Sequence, residues 1–528
     1  MPVSQQFRSS MQWLHTWLGI ALGSVLFAIF WMGTLTVFHL EINRWMMPES
    51  RVTPALNRPL DPIVMPHLQT LDRGEDTFIT ISRPTSRSPF VSVRSFGGPE
   101  RLRLTLDPVT GEQIETTKSY GASGFFYPFH YSLHISWLGL GTWIVGLAAL
   151  SMLVLTVSGI FLHRKIFADF FSFRPQKHLR RSLLDLHNLT AVVALPFHVL
   201  FPLTGILIFV FVYFPNSFTK AYDGDRAELR EEMIGYVLRD AAGEPGELPP
   251  SVDALVKRAE TIWTERSGQP AHADYIRITR AGDANATVMV QHTFPERQVA
   301  MNRGNITFDA QTGELLTDFT PRSAQTANAW IKGAHFLRID SWALRWLFFL
   351  GGLAGSVMIA TGQLYWMQAR IKRGLEPRRV RVVRGLTIGT TTGLILATLA
   401  YLIANRLLTN DVRALGFERE MLEVLPFFAV WIVAVLHAAL RGRAAWREQS
   451  IAICMAAIAA AVLNWATTGD DIVRSAMAAQ WAVVGVDSAL LVTSGIALWS
   501  VRRLPSVSGS PVPAAGLPRR TAPQAKLR

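Results

Sequence analysis

Eight apolar runs punctuate the chain, at roughly 13–40, 137–162, 187–214, 343–367, 384–404, 421–440, 450–467 and 480–500. About 20 such residues carry a helix across a bilayer, so each run predicts a transmembrane helix. The first is too long for the core of a signal peptide, and no small-residue cleavage site precedes Glu41–Trp45, so it is expected to stay as an anchor. Two longer polar segments separate the early runs, about 46–130 and 216–334. Within them apolar and polar residues alternate over Thr77–Ile81, Arg101–Leu106, Tyr275–Ile278 and Thr287–Val290, the period of strands, with a helix expected near 251–265. The fold class is an α-helical polytopic membrane protein of about eight spans carrying two extramembrane α+β modules.

Composition agrees: of 528 residues 49% are hydrophobic and only 17% charged, which excludes a disordered or coiled-coil chain. The net charge of +13, from 52 Lys+Arg against 39 Asp+Glu, raises the question of nucleic acid. Its distribution answers it. Arg164, Lys165, Arg174, Lys177, Arg180 and Arg181 follow the second run, and Arg370, Lys372, Arg373, Arg378, Arg379, Arg381 and Arg384 lie between the fourth and fifth. Arg441, Arg443 and Arg447 lie between the sixth and seventh, and Arg502 and Arg503 follow the eighth. Every second loop is basic, the signature of cytoplasmic loops, which puts both termini inside and both modules outside. The charge reports topology, and no nucleic-acid surface is expected. With Cys454 as the only cysteine and no CxxCH, an internal disulfide, an iron–sulfur cage and covalent haem are excluded.

A duplication organises the first two-thirds. LTLDPVTGE at 104–112 recurs as ITFDAQTGE at 306–314, each reading as a strand, a turn in which Gly111 or Gly313 takes positive φ, and a second strand. The flanking helices keep step: His15 to Gly33 and His187 to Gly205 both span 18 residues, Gly111 to His134 is 23 and Gly313 to His335 is 22. Four histidines thus stand at the entrances of four spans, His15 and His187 on the basic side, His134 and His335 on the other.

In an up-down four-helix bundle the first and third helices are diagonal partners, as are the second and fourth. Each diagonal sets two imidazoles across the interior at one depth, the arrangement of a bis-histidine haem, so two haem b groups are expected: one on His15 and His187, one on His134 and His335. Zinc also takes imidazole, but paired rings at two depths without carboxylates fit it poorly. Gly19, Gly23, Gly33, Gly146, Gly159, Gly205 and the Gly351–Gly355 pair leave room for close helices and a macrocycle. His39, His163 and His198 lie in or beside the same spans without a repeat-equivalent histidine and are secondary candidates. His198, between Pro196 and Pro202 in a stretch expected to kink, is placed to replace His187, bond a propionate or relay a proton. The aromatic cluster Phe125, Phe126, Tyr127, Phe129 and Tyr131 reads either as a docking face or as a membrane-interface belt. No GxGxxG follows a strand and opens a helix, so neither nicotinamide nor flavin binding is expected.

LHTWLGIALG, the paired DxxTGE hairpins, LHISW…GTWIVGLAALSMLVLTVSGIFLHRK and DLHNLTAVVALPFHVLFPLTG together resemble the PepSY-associated transmembrane family over about 10–370. The resemblance implies that the hairpin modules are PepSY-like and periplasmic, and that the chain lies in a bacterial inner membrane. It further implies a haem-dependent oxidoreductase like the ferric-siderophore reductases. In that reading a quinol or cytoplasmic reductase supplies electrons, a ferric chelate docks on the modules, and His15, His134, His187 and His335 carry the haems. The rival readings are a membrane-anchored PepSY module that binds peptides or restrains a protease, and an accessory to iron-uptake transport. The expected division is span one at 1–45, module one at 46–130 and spans two and three at 131–215. Module two follows at 216–334, span four at 335–370, spans five to eight at 371–504 and a disordered basic tail at 505–528.

Overall fold

A computed structural model describes residues 4–163, 179–225, 239–293, 303–339, 341–371 and 378–504, with 228, 229, 232, 233, 235, 237, 299 and 301 between them. Arg164, Lys165, Arg174, Lys177, Lys372, Arg373 and the tail from Pro505 lie outside the described residues. Among the described residues seven helices are long and apolar enough to cross a membrane, and an eighth span follows if the bent pair Leu179–Val193 and Leu195–Ile208 is counted as one. The two halves of that pair meet at 63°. The break falls at Ala194, where Pro196, with no N–H to give, opens the next helix.

The first four spans are α1 (Gln5–Thr36), α5 (Leu140–Leu162), the bent α6 (Leu179–Val193) with α7 (Leu195–Ile208), and α10 (Trp342–Ile371). Between them come the short helices α2 (His39–Met46), α3 (Asp61–Gln69), α4 (Phe126–Ser132), α8 (Val252–Ser267) and α9 (Ser323–Phe336). Helix α1 packs on α5 and α10, α5 on α7, and α6 on α10. The first and third spans therefore face each other across the bundle, as do the second and fourth. The remaining spans are α11 (Arg378–Leu407), α12 (Arg419–Arg441), α13 (Ala444–Thr468) and α14 (Trp481–Arg503). They pack beside this bundle through α11, which meets α1 and α10. Trp31 donates to Thr398 at 3.1 Å and Trp45 to Asp487 at 2.7 Å, so polar bonds join the two helical units.

The strands are β1 (Phe78–Ser82), β2 (Val91–Phe96), β3 (Arg103–Leu106), β4 (Ala273–Thr279), β5 (Thr287–Thr293), β6 (Arg303–Asp309) and β7 (Leu315–Phe319). The two segments expected as separate modules share one antiparallel sheet, ordered β3-β2-β1-β4-β5-β6-β7. The join is β1 against β4, with Ile79 opposite Ile278 and Ile81 opposite Ile276. Helices α3 and α8 cover one face, burying Ile79, Ile81, Val93, Ile276, Val290 and Phe308 between helix and sheet. Their N-termini exchange caps. Asp253 accepts from the backbone N–H of Leu60 and Asp61 at 2.8 and 2.9 Å, and Asp61 accepts from that of Val252 at 2.8 Å. This reciprocity is what a duplicated unit facing its own copy produces.

The repeated hairpins fold alike. Asp107 Oδ1 accepts from the N–H of Val109 and Thr110, and Asp309 Oδ1 from that of Gln311 and Thr312, all within 3.0 Å. Gly111 and Gly313 stand at φ 74° and 70°, as the turn requires. They differ afterwards: the second hairpin continues as β7, whereas the first returns only through a bridge of Leu106 with Gln113.

A buried ion cluster seats the sheet on the bundle. Arg87, in the β1–β2 loop, donates to Glu41 at 2.9 and 3.0 Å and to the Val37 carbonyl at 3.2 Å, while Arg345 of α10 reaches Glu41 at 2.5 Å. Burial alone would raise the Glu41 carboxyl, but the hydrogen bond and charge of Arg87, with the charge of Arg345, hold it below its ordinary 4.5. Its stabilising contribution is therefore present above the unfolded value and is lost as pH falls through the folded one. Removing one partner of a buried pair costs about 3–5 kcal/mol. Glu41→Gln is expected to lower the melting temperature at neutral pH and to flatten the acid limb of the melting profile. An unchanged profile in detergent melts between neutral and acid pH would remove Glu41 from this role.

Candidate functional site: two opposed imidazole pairs

His15 lies near the start of α1 and His187 within α6, on diagonal spans. Their ring centres are 6.3 Å apart with planes at 85°. Each ring is fixed through Nδ1: His15 to the Leu155 carbonyl and the Ser158 hydroxyl, both at 3.0 Å, and His187 to the Met358 carbonyl at 2.8 Å. A carbonyl only accepts, so Nδ1 carries the proton and Nε2 keeps its lone pair.

On the sheet side His335, at the end of α9, faces His130 of α4, with ring centres 6.0 Å apart and planes at 30°. His130 Nδ1 donates to the Ile29 carbonyl at 2.9 Å. His335 Nδ1 meets Thr204 Oγ1 at 2.9 Å. The expected partner, His134, is elsewhere. Helix α4 ends at Ser132, and Leu133 and His134 both take positive φ, 52° and 54°, which turns the chain away from the bundle axis. His134 stacks on Phe125 at 4.8 Å, and its Nε2 donates to the Phe125 carbonyl at 2.8 Å.

All four facing rings share one cradle, in which each rests on a glycine of the neighbouring helix. His15 lies over Gly159, His187 over Gly362, His130 over Gly33 and His335 over Gly205, where an added Cβ would come within 3.4, 3.1, 2.7 and 3.4 Å of the ring. For His15, His187 and His130 the carbonyl that takes the Nδ1 proton stands four residues before that glycine: Leu155, Met358 and Ile29. Within each half of the repeat, histidine and glycine are exchanged in both directions: α1 with α5 and α4 in the first half, and α6 and α7 with α10 and α9 in the second. Each facing pair then takes one ring from each half. Among the described residues nothing takes up Nε2 of these rings by hydrogen bonding, and no three of His, Cys, Asp or Glu gather as a metal cluster. Chemically, each pair offers two imidazole Nε2 lone pairs on rings about 6 Å apart.

A signal for His130 was present in the chain. His130 and His335 each stand seven residues before the tryptophan of a Ser-Trp dipeptide, Ser136–Trp137 and Ser341–Trp342, and each is followed by an aromatic residue.

The secondary candidates part ways. His198 is 1% exposed, set between Phe30 and Gly355, and its Nε2 has no hydrogen-bond partner among the described residues. It faces neither pair as a third ring. His163 caps α5, and its buried Nδ1 also lacks a described partner. His39 meets the Ser123 hydroxyl at 2.7 Å. Burial and then Arg87 pull it down to about 4, with Arg338 adding and Glu41 opposing, so its ring stays neutral. The aromatic cluster is neither docking face nor belt at its centre. Phe125, Phe126 and Phe129 are each 1% exposed, with Phe125 and Phe126 against Tyr401 and Phe129 against Phe427 and Trp431, so they join the two helical units.

Residues 12–369 match the family described as the PepSY-associated TM region. The uncharacterized protein PA4219 of Pseudomonas aeruginosa is 25% identical over 328 residues, covering 59% of this chain and 78% of its own length. The matched family segment contains both imidazole pairs and ends before α11.

Proposed function

Since the chain belongs to the PepSY-associated TM family, we propose that it is an inner-membrane di-haem protein that passes electrons to ferric chelates on the periplasmic side. The observation that carries the reading is the two opposed imidazole pairs on their glycine cradles. A metal held between two imidazole nitrogens would need the facing ring centres about 6 Å apart. The centres here lie 6.3 and 6.0 Å apart. His15 and His187 would hold one haem b, His130 and His335 the other. Haem bound there supplies one-electron chemistry that no residue of the chain provides.

The chain's own part is positional. The Nδ1 hydrogen bonds set each tautomer and ring orientation and make Nε2 a better donor. The glycines let the Cε1 edge of each ring come close to the next helix. Phe30, Met152 and Ile359, buried in the bundle, keep water from its interior. The basic loops favour an orientation with the His15–His187 pair near the cytoplasm, where a quinol or a separate reductase would meet it, and the sheet in the periplasm.

Purified protein should show a sharp α-band in its reduced-minus-oxidised spectrum and contain about two haems per chain. A folded, colourless protein that does not take up added haemin would sink the reading. It would leave a membrane-anchored binding module as the better account.

A further inference from the structure

The face of the sheet turned away from α3 and α8 differs between its two halves. One cross-strand row runs Arg103, Arg94, Thr80, Arg277, Met289, Thr307, Thr317, and the next runs Thr105, Ser92, Ser82, Tyr275, Gln291, Asn305, Phe319. Over β5 to β7 this face is closed. The chain at Gly235 lies directly on Phe319, Arg239 pairs with Asp309 at 2.7 Å, and Met289, Gln291, Asn305 and Thr307 are all buried. Over β1 to β3 it is open. Arg94 and Arg103 are exposed directly opposite each other, and Phe96 beside them is 49% exposed.

Two guanidinium groups opposed across strands repel, and such like-charge pairs weaken a sheet. Among the described residues neither has a carboxylate partner. Burial and then Arg103 push Arg94 below its ordinary value, while Tyr275 opposes them. Arg277 adds a third cation in the same row, its guanidinium over the Tyr275 ring at 5.8 Å. The open half thus sets the Arg94 and Arg103 guanidinium groups beside the exposed ring of Phe96, with Arg277 and Tyr275 engaged with each other at its edge. A fold without a ligand there would gain by placing a carboxylate in the row.

We propose that this open half-sheet captures the chelate, and that the chelate is a polyanion whose metal is held by aromatic oxygen donors, such as catecholates. The inference rests on the ferric-chelate reading above and names the substrate class. Guanidinium groups donate in pairs to neighbouring anionic oxygens and stack on flat rings, the two chemistries such a complex presents. A net negative charge answers the opposed guanidinium groups of Arg94 and Arg103. The strands that carry the site are anchored to the bundle: β1 and β2 are joined by the loop whose Arg87 is held by Glu41 and Val37, just beyond the end of α1, and Arg94, Phe96 and Arg103 lie toward the opposite end of β2. The bundle end that carries His130 and His335 is thereby tied to the strands that carry the patch.

The probe is a redox-inert gallium(III) complex of a synthetic tris-catecholamide, a trianion. Its binding to the full chain in detergent is followed by equilibrium dialysis with gallium counting. Arg94→Gln with Arg103→Gln should weaken binding about tenfold or more. The same double variant should melt no lower than the parent, because it relieves repulsion. Binding should weaken as salt rises, and a neutral gallium trihydroxamate should bind far more weakly. Equal affinity in the double variant overturns the inference, as does equal binding of the neutral complex. So does displacement of the probe by an acidic peptide that itself binds more tightly. The haem spectrum of the same samples separates the two readings. A colourless protein with arginine-dependent binding upholds capture and rejects the conduit; a haem-loaded protein with arginine-independent binding does the reverse.

Discussion

His130→Ala is expected to halve the haem content, from about two per chain to about one, whereas His134→Ala leaves both. Facing imidazoles act as a pair, so deleting one leaves its partner as a single ligand to a cofactor otherwise held by packing alone. The prediction singles out His130 because its ring is the one 6.0 Å from His335, while His134 is engaged by the Phe125 carbonyl and ring. His335→Ala should behave like His130→Ala, and His15→Ala should remove the other haem instead. Haem stoichiometry by pyridine haemochrome, with low-temperature spectra resolving the two centres, distinguishes these outcomes. Loss of haem in the His134 variant with retention in the His130 variant would show that the sheet-side pair is drawn wrongly.

That choice between His130 and His134 marks where the chain stopped being readable. The apolar runs located the spans because bilayer thickness dictates their length, and the repeated Asp–Gly hairpin located the duplication because only a few residues fit that turn. Both properties are local. Counting from the hairpin glycine to the histidine gave nearly equal intervals with His134, 23 against 22 residues. The linker between hairpin and bundle does not keep its length, because the second hairpin continues as β7 and the first does not. Counting backward from the Ser-Trp dipeptide, which starts the span itself, gives seven residues for His130 and for His335. The interval from each ring to the span that follows it is preserved, and the interval from the hairpin is not. The shared sheet was unreadable for a related reason, since β1 and β4 pair across almost 200 residues and alternation alone does not name a strand's neighbour.

The second and fourth spans contribute more than His130 and His335 would suggest. Their glycines seat the rings of the first and third spans, and the first and third return the same service to the rings of α4 and α9, the helices that precede them. Each span pair is therefore half of two sites, and each site is completed only when both halves of the duplication close on one another. This accounts for histidine and glycine keeping an 18-residue interval in α1 and again between His187 and Gly205: the two residues serve opposite ends of the bundle. A glycine count alone could not separate this use from ordinary close helix packing, such as Gly351 against Phe197 or Gly352 against Thr34.

The cradle makes a graded prediction. A Cβ on Gly33 would lie 2.7 Å from Cε1 and 2.8 Å from Nδ1 of His130, closer than side chains approach. The ring must then shift, and its hydrogen bond to the Ile29 carbonyl breaks or bends. Gly33→Ala should therefore empty the sheet-side site or make it five-coordinate, with a high-spin signal replacing a low-spin one. At Gly362 the same methyl group meets His187 at 3.1 Å, which a shift of a few tenths of an ångström accommodates, so a changed midpoint potential with haem retained is expected. At Gly159 and Gly205 the contact is 3.4 Å, at the edge of ordinary van der Waals distance, and alanine there should leave both spectra nearly as they were. Alanine is the better helix former by about 1 kcal/mol, so none of these variants should lose helix stability through propensity. Any disturbance then reports on the ring. If all four variants gave the same spectrum as the parent, the glycines would be packing residues and the imidazoles would owe their orientation to their Nδ1 hydrogen bonds alone.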